Sequence, residues 1–194
     1  MVKNMNAKID LREVTKGFDM EQKGAEKAIK RTVGDMKSRA PGWVSKAVRE
    51  EYGIAAKDVK GAMHTENGGS MNFKGAEVDA VALVYKGRVL TPTHFKMKPA
   101  SRPPKPYSVT AEVRKGQRKT LSSIAFLSHS GGSESKEIPF QRRGAARTPI
   151  DAIKTLSVPQ MIESKQGIKP KIEKVRNENL EKRFEHHCEQ ALKK

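Results

Sequence analysis

The feature that most constrains this chain is a change in the period of its apolar residues partway along. From Phe18 to Arg39 the apolar positions Ala25, Ala28, Ile29, Val33 and Met36 recur at helical spacing. Glu26 and Lys30 stand one turn apart on the wet side, a pair that supports a helix. In the middle of the chain the period falls to two. Between Ser108 and Arg114, Val109, Ala111 and Val113 share one side, and Ser108, Thr110, Glu112 and Arg114 the other. A helical stripe does not lie flat as a strand, so both element types must be present. The strands follow one another as a meander and not as a βαβ series. The expected class is therefore α+β: N-terminal helices packed on an antiparallel sheet or partial barrel, with long loops and a C-terminal helix.

The punctuation sharpens this expectation. Ala40-Pro41 interrupts the first helix, and Pro41 suits the first turn of a second one carrying Trp43, Val44, Ala47 and Val48. That helix should stop at Tyr52-Gly53. A short third helix is expected from Ala55 to Met63 around Val59, then a loop from His64 to Gly69. Ala76 to Tyr85 is a continuous apolar run, as in a strand covered on both faces. Lys86-Gly87 and Lys115-Gly116-Gln117 mark turns, and Thr120 to Ser128 and Ile138 to Arg143 read as further strands. A last helix from about Lys169 to Lys193 has Pro170 near its start and an imperfect stripe of Ile172, Val175, Leu180, Phe184, Cys188 and Ala191. The expected layout is an arm over 1–17, one domain over 18–165 and a charged helix over 166–194. Trp43, Val48, Leu83, Val113, Phe126 and Ile153 are expected in the core.

A formal charge of +17 points to a polyanion nearby, whether DNA, RNA, a membrane surface or an acidic protein partner, or else to a solvated surface whose excess charge aids solubility. Lys and Arg are spread along the chain and form no basic tail. One concentration lies in Thr91 to Pro106, with five prolines (Pro92, Pro99, Pro103, Pro104, Pro106) and the cations Lys96, Lys98, Arg102 and Lys105. Prolines lack backbone donors, so this segment cannot be a central strand. It reads as a binding or assembly loop, with Lys86 and Arg88 adding to its patch, and Ser128 to Lys136 reads as a flexible hairpin tip.

Catalytic signatures are missing: there is no P-loop, GxGxxG, nucleophile elbow or HExxH. Neighbouring helical residues point about 100° apart, so His186, His187 and Cys188 cannot converge on one metal. Glu50-Glu51 and the Asp10/Glu13 pair lie among lysines and arginines and read as solvated surface. No enzyme activity, cofactor or metal is expected. A single cysteine excludes an intrachain disulfide, the N-terminus has no apolar leader core, and no run is long enough to cross a bilayer. The expectation is a product assembled in the cytoplasm, without membrane contact.

The most specific stretch runs Ile138-Pro139-Phe140-Gln141-Arg142-Arg143-Gly144, then Arg147-Thr148-Pro149-Ile150, then Ser157-Val158-Pro159-Gln160-Met161-Ile162. It reads as a strand, a basic turn, a second strand from Pro149 to Leu156, and a short helix with Ser157 as its N-cap. This pattern resembles the closing motif of the phage minor tail protein Z family, the tail-completion proteins. The segment from Ala25 to Met63 resembles that family's opening helices, and the likeness extends over most of Ala25 to Ile162. Where the family has a Gly-Pro-Ser step, this chain has Thr155-Leu156-Ser157. The resemblance implies a structural role in a virion, at the head-proximal end of a tail. It further implies a ring of identical copies, possibly six, beside tail-terminator or tube and head-connector proteins. Arg142, Arg143 and Arg147 flank the motif's turn and are the first candidates for the charge-bearing contact, with Lys96, Lys98, Arg102 and Lys105 behind them. That contact would meet acidic neighbours or, without sequence reading, DNA in the channel. The alternative reading is a basic accessory protein bound to nucleic acid.

Overall fold

The computed structural model describes residues 4–5, 8–10, 22–65, 72–74, 77–79, 83–131, 135–164 and 167–193, with the backbone alone described over 4–10, at 22 and over 63–85. The element order begins with strands β1 (Asn4–Met5) and β2 (Lys8–Asp10), helix α1 (Gln22–Glu51) and helix α2 (Ala56–Gly61). Four short strands follow: β3 (Met63–Thr65), β4 (Asn72–Lys74), β5 (Glu77–Asp79) and β6 (Leu83–Tyr85). A 3-10 turn at Pro92–His94 leads to β7 (Thr110–Arg114), β8 (Gln117–Thr120), β9 (Phe126–His129), β10 (Glu137–Arg142) and β11 (Ile150–Ala152). Helices α3 (Val158–Ile162) and α4 (Ile168–Leu192) close the chain. The class is α+β, and every strand pair is antiparallel. The strands form four small ladders in place of one sheet: β1-β6-β3, β2-β5-β4, β7-β8 and β11-β10-β9.

The expected break at Ala40-Pro41 does not occur. Helix α1 runs through Pro41 for 30 residues. An interior proline costs about 3 kcal/mol because the carbonyl four residues back loses its donor. That carbonyl belongs to Lys37, a partly buried residue. Ala40, Val44, Val48 and Tyr52 meanwhile form one unbroken buried stripe, so packing outweighs the lost bond.

Helix α1 lies antiparallel to α4. Lys171 donates to Glu51 (3.0 Å), and Asp35 meets His187 (3.3 Å) and Arg183 (3.8 Å). The two contacts are spaced 16 residues apart on both helices, about 24 Å of helix each, so the axes stay side by side between them. Glu51 holds the Lys171 ammonium above its ordinary pKa. The core gathers at the C-terminal end of this pair. Ala40, Val44, Val48 and Tyr52 of α1 pack with Ile54, Val59 of α2, Phe95, Val158, Met161 and Ile162 of α3, and Ile168 and Ile172 of α4. Val48 is in this core as expected. Trp43, Val113, Phe126 and Ile153 are only partly buried, Trp43 and Val113 packing against the core from its margin, and Leu83's side chain is outside the described residues.

Helix α1 ends by docking on β7. The Gly53 amide donates to the Val113 carbonyl (3.1 Å), and the Lys115 amide donates to the last helical carbonyl, that of Glu51 (2.9 Å). Gly53 stops the helix as expected, though by close approach and not by a left-handed turn: a Cβ there would collide with the Glu112 carbonyl oxygen. The turn at Gly116 does use the left-handed region, at φ +75°.

Four other expectations are revised. Ala76 to Tyr85 is not one continuous strand, since β5 and β6 belong to different ladders. The first two residues expected in a loop, His64 and Thr65, lie in β3, paired with β6. Thr120 to Ser128 divides into the end of β8 and the start of β9, with exposed Ser123 and Ile124 between them. The expected strand from Pro149 to Leu156 keeps its ladder only over Ile150–Ala152. The next residue, Ile153, still donates to Pro139 (2.8 Å), but Pro139 has no amide to return the bond. The chain then changes partner, and Thr155 donates to Leu90 (2.7 Å).

Phe95 is fully buried, so Phe95→Ala should destabilise the protein by about 3–5 kcal/mol, measured by urea unfolding. Gly53→Ala, which adds a single methyl, should cost more than the ~1 kcal/mol of an average substitution. A near-neutral Gly53→Ala would show that α1 and β7 separate easily.

Candidate interaction surface

The Pro-rich segment is not a free excursion. Phe95 anchors it in the core, its carbonyl accepts from the Glu112 amide (2.9 Å), and Lys98 and Thr110 exchange two backbone bonds of 2.8 Å. It therefore runs along the open edge of β7, a place where prolines are tolerated. Further on, the Arg102 amide donates to Glu137 at the start of β10 (2.6 Å). The Tyr107 hydroxyl accepts from Leu127 and so covers the outer edge of β9.

This tethering separates its four cations. Lys96, with φ +47°, reaches Glu112 (3.2 Å), and its carbonyl accepts from Arg118 (3.0 Å). The Glu112 carboxylate also accepts the Gly116 amide (3.0 Å), and these bonds, Gly116 first and Lys96 second, hold its pKa below the ordinary carboxylate value. Lys96 is thus engaged inside the molecule. Lys98, Arg102 and Lys105 point outward and are exposed.

The β10–β11 hairpin separates its three arginines in the same way. Arg143 forms a two-pronged bond with Asp151, at 2.6 and 2.8 Å. The fork lowers the Asp151 pKa and raises that of Arg143. Arg142 lies 5.7 Å above the Phe126 ring, which is itself stacked on Phe140 at 6.2 Å. Arg147, at the exposed tip, has no ion pair with any described residue. Of the seven expected contact residues, then, Lys96 and Arg143 are held internally and Arg142 is stacked. Lys98, Arg102, Lys105 and Arg147 keep their charge available. The two groups are not brought together: Arg102 sits at the Glu137 end of β10 and Arg142 at the other, about 17 Å along the strand.

Sequence reading missed the acids that organise these cations. Glu112 belongs to the outward set of an alternating strand, and Asp151 stands opposite Gln141 across a hairpin. Neither pairing is visible before the register is known.

The last helix settles the histidine–cysteine cluster. His187 turns toward Asp35, His186 is exposed, and Cys188 is buried, with burial alone raising its thiol to about 11. The three do not converge, and no group of metal-binding side chains occurs among the described residues. Glu50 and Glu51 both face Lys171 (4.0 and 3.0 Å). Among the described residues, no helix is long and apolar enough to cross a membrane. Comparison with protein-family models, curated proteins and solved structures gives no significant match.

Two measurements test this geometry. A carboxylate whose folded pKa is depressed contributes stability above its unfolded pKa and loses it as pH falls through the folded value. The stability difference between wild type and Glu112→Gln should therefore be present at neutral pH and vanish on acidification below the ordinary carboxylate range. A pH-independent difference would mean that Glu112 acts by shape alone. Cys188 should resist iodoacetamide at pH 8 in the native protein and react at once in urea, whereas rapid native labelling would place it at the surface.

Proposed function

We propose that this chain is a non-enzymatic structural protein of a phage-type particle, a tail-completion subunit at the head-proximal end of the tail. The observation that carries the reading is the motif from Ile138 to Ile162, whose resemblance to the tail-completion family was drawn from its residues. Its folded form is compatible with a role in construction. Ser157 caps α3 with a complete capping box, its hydroxyl taking the Gln160 amide and Gln160 returning to the Ser157 amide (2.8 Å). Val158, Met161 and Ile162 then enter the core. The Thr155-Leu156-Ser157 step is held by Leu90, whose carbonyl accepts from both the Thr155 amide and its hydroxyl (2.7 and 2.8 Å). The motif's apolar residues are thus framework. Its exposed arginine, Arg147, sits at the hairpin tip where a neighbour can meet it.

In this reading, copies of the subunit form a ring, with six copies as the working number, between tail-terminator or tube and head-connector proteins. The place of action is the virion. The charge supports close approach to acidic subunits or channel DNA, since a ring of six would carry about +100 before screening. A basic accessory protein on nucleic acid is the competing reading, resting on the same charge.

Particles made without the gene decide between them. Tail completion predicts separate heads and malformed tails in micrographs, and normal particles would remove the proposal. Arg147→Gln combined with Arg142→Gln should reduce head–tail joining severalfold while leaving the subunit's melting temperature nearly unchanged, because neither residue is part of the core. Arg143→Gln should in addition loosen the hairpin by breaking its fork with Asp151. Full infectivity of the Arg142/Arg147 double variant would show that the turn carries no contact.

A further inference from the structure

A second basic feature lies away from the motif's turn. Segment 86–91 passes beside α2, tied at one end by Lys86 donating to Ala62 (3.0 Å) and at the other by Leu90 donating to Leu156 (3.3 Å). Between α2 and this segment runs a groove of about 640 Å³. Lys57, Lys86, Arg88 and Lys154 line it, coming from three stretches of chain that only the fold brings together. None of the four forms an ion pair with a described residue. The groove's one carboxylate, Asp58, is already engaged by His94 (3.1 Å) and is largely covered. Across that pair the surface continues into a second hollow lined by Arg49, Lys96 and Lys136. Apart from Lys96, which is paired with Glu112, none of these cations forms an ion pair with a described residue, so charge this one-sided in a concave site is not needed for folding.

The floor of the groove identifies the class of occupant. Val89 is 41% exposed, Leu90 is half-buried, and Ala62 and Val158 complete an aliphatic base. Gly87, Arg88 and Val89 are exposed and make no backbone hydrogen bond with any described residue. Among the described residues no Phe, Tyr or Trp lines either hollow, and the one ring there, His94, is held against Asp58, so these residues build no stacking platform of the kind single-stranded nucleic acid needs. A duplex presents a rigid convex backbone that would touch the rim cations and leave the aliphatic floor bare.

From this we propose that the groove binds an extended acidic peptide segment of a partner protein, one in which carboxylates alternate with aliphatic side chains. Its carboxylates meet Lys57, Lys86, Arg88 and Lys154, its aliphatic residues cover Val89 and Leu90, and its backbone bonds along 87–89 as an added strand. The inference rests on the groove and is independent of the neck assignment. It names a partner chemistry for any role the chain plays.

The test uses the full chain and a fluorescein-labelled 12-residue peptide alternating Glu and Val, followed by anisotropy at low and moderate salt. Binding should be saturable, and Lys57→Gln, Lys86→Gln, Arg88→Gln and Lys154→Gln combined should weaken it at least tenfold. The Arg142/Arg147 double variant should bind within about twofold of wild type. Val89→Asp, or a peptide alternating Glu and Ser, should weaken binding severalfold, since only the aliphatic floor distinguishes them. Melting curves confirm that these surface variants stay folded. Lack of saturable binding overturns the proposal. So does equal weakening by the groove and hairpin variants, which would signal diffuse attraction. Displacement of the peptide by a 12-nucleotide single strand or a 12-base-pair duplex at lower concentration than unlabelled peptide would assign the groove to nucleic acid instead.

Discussion

The last three turns of α1 organise everything that follows them. Their stripe of Ala40, Val44, Val48 and Tyr52 is buried against four separate pieces of chain: α2, α3, the start of α4 and Phe95 from the Pro-rich segment. Apolar burial is non-directional, so one stripe can hold elements distant in sequence, provided each supplies a matching side chain. That is why the helix persists through Pro41. Ending it there would have separated Ala40 from Val44, Val48 and Tyr52.

With that stripe in place, the β-rich part needs little core of its own. Its ladders are short, β8 is exposed throughout, and Phe126 and Phe140 are only half-buried. Directional bonds take over where apolar area runs out. Glu112 gathers Gly116, Lys96 and Arg118 at the β7–β8 turn, Glu137 ties the Pro-rich segment to β10, and Asp151 holds the β10–β11 hairpin through Arg143. In a chain with 39 basic and 22 acidic residues, acids are scarce, and several are placed where they fix a turn or a crossing. Cations outnumber them, so many remain on the surface with no described counter-charge. The surface available to a partner is the residue of this internal pairing.

Both proposals follow from that imbalance at different places. At the hairpin tip, Arg147 is left over once Arg143 has taken Asp151. In the groove beside α2, Lys57, Lys86, Arg88 and Lys154 are left over because the single carboxylate there is turned to His94. The hairpin offers a small exposed contact, whereas the groove offers shape and an apolar floor. A subunit built to join others can use the two in sequence, with charge drawing a neighbour in and the groove fixing its register.

The sequence by itself determined the element types and many of their ends. Period and punctuation were enough for α2, α4, the β7 strand, the Gly116 turn and the Ser157 cap, and for the helical character of α1 but not its continuity, because each depends on residues within a few positions of one another. The resemblance to tail-completion proteins also came from local motifs and from nothing else. What only the tertiary structure decided were the outcomes that weigh local preference against distant contact. Continuation through Pro41 depended on partners more than a hundred residues away. The Pro-rich segment became an edge strand because Phe95 found the core. The division of basic residues into engaged and available ones required the register that sets Glu112 beside Lys96 and Asp151 beside Arg143. The groove was the least legible feature, since its cations come from three stretches of chain, and convergence of that kind leaves no periodic trace in the sequence.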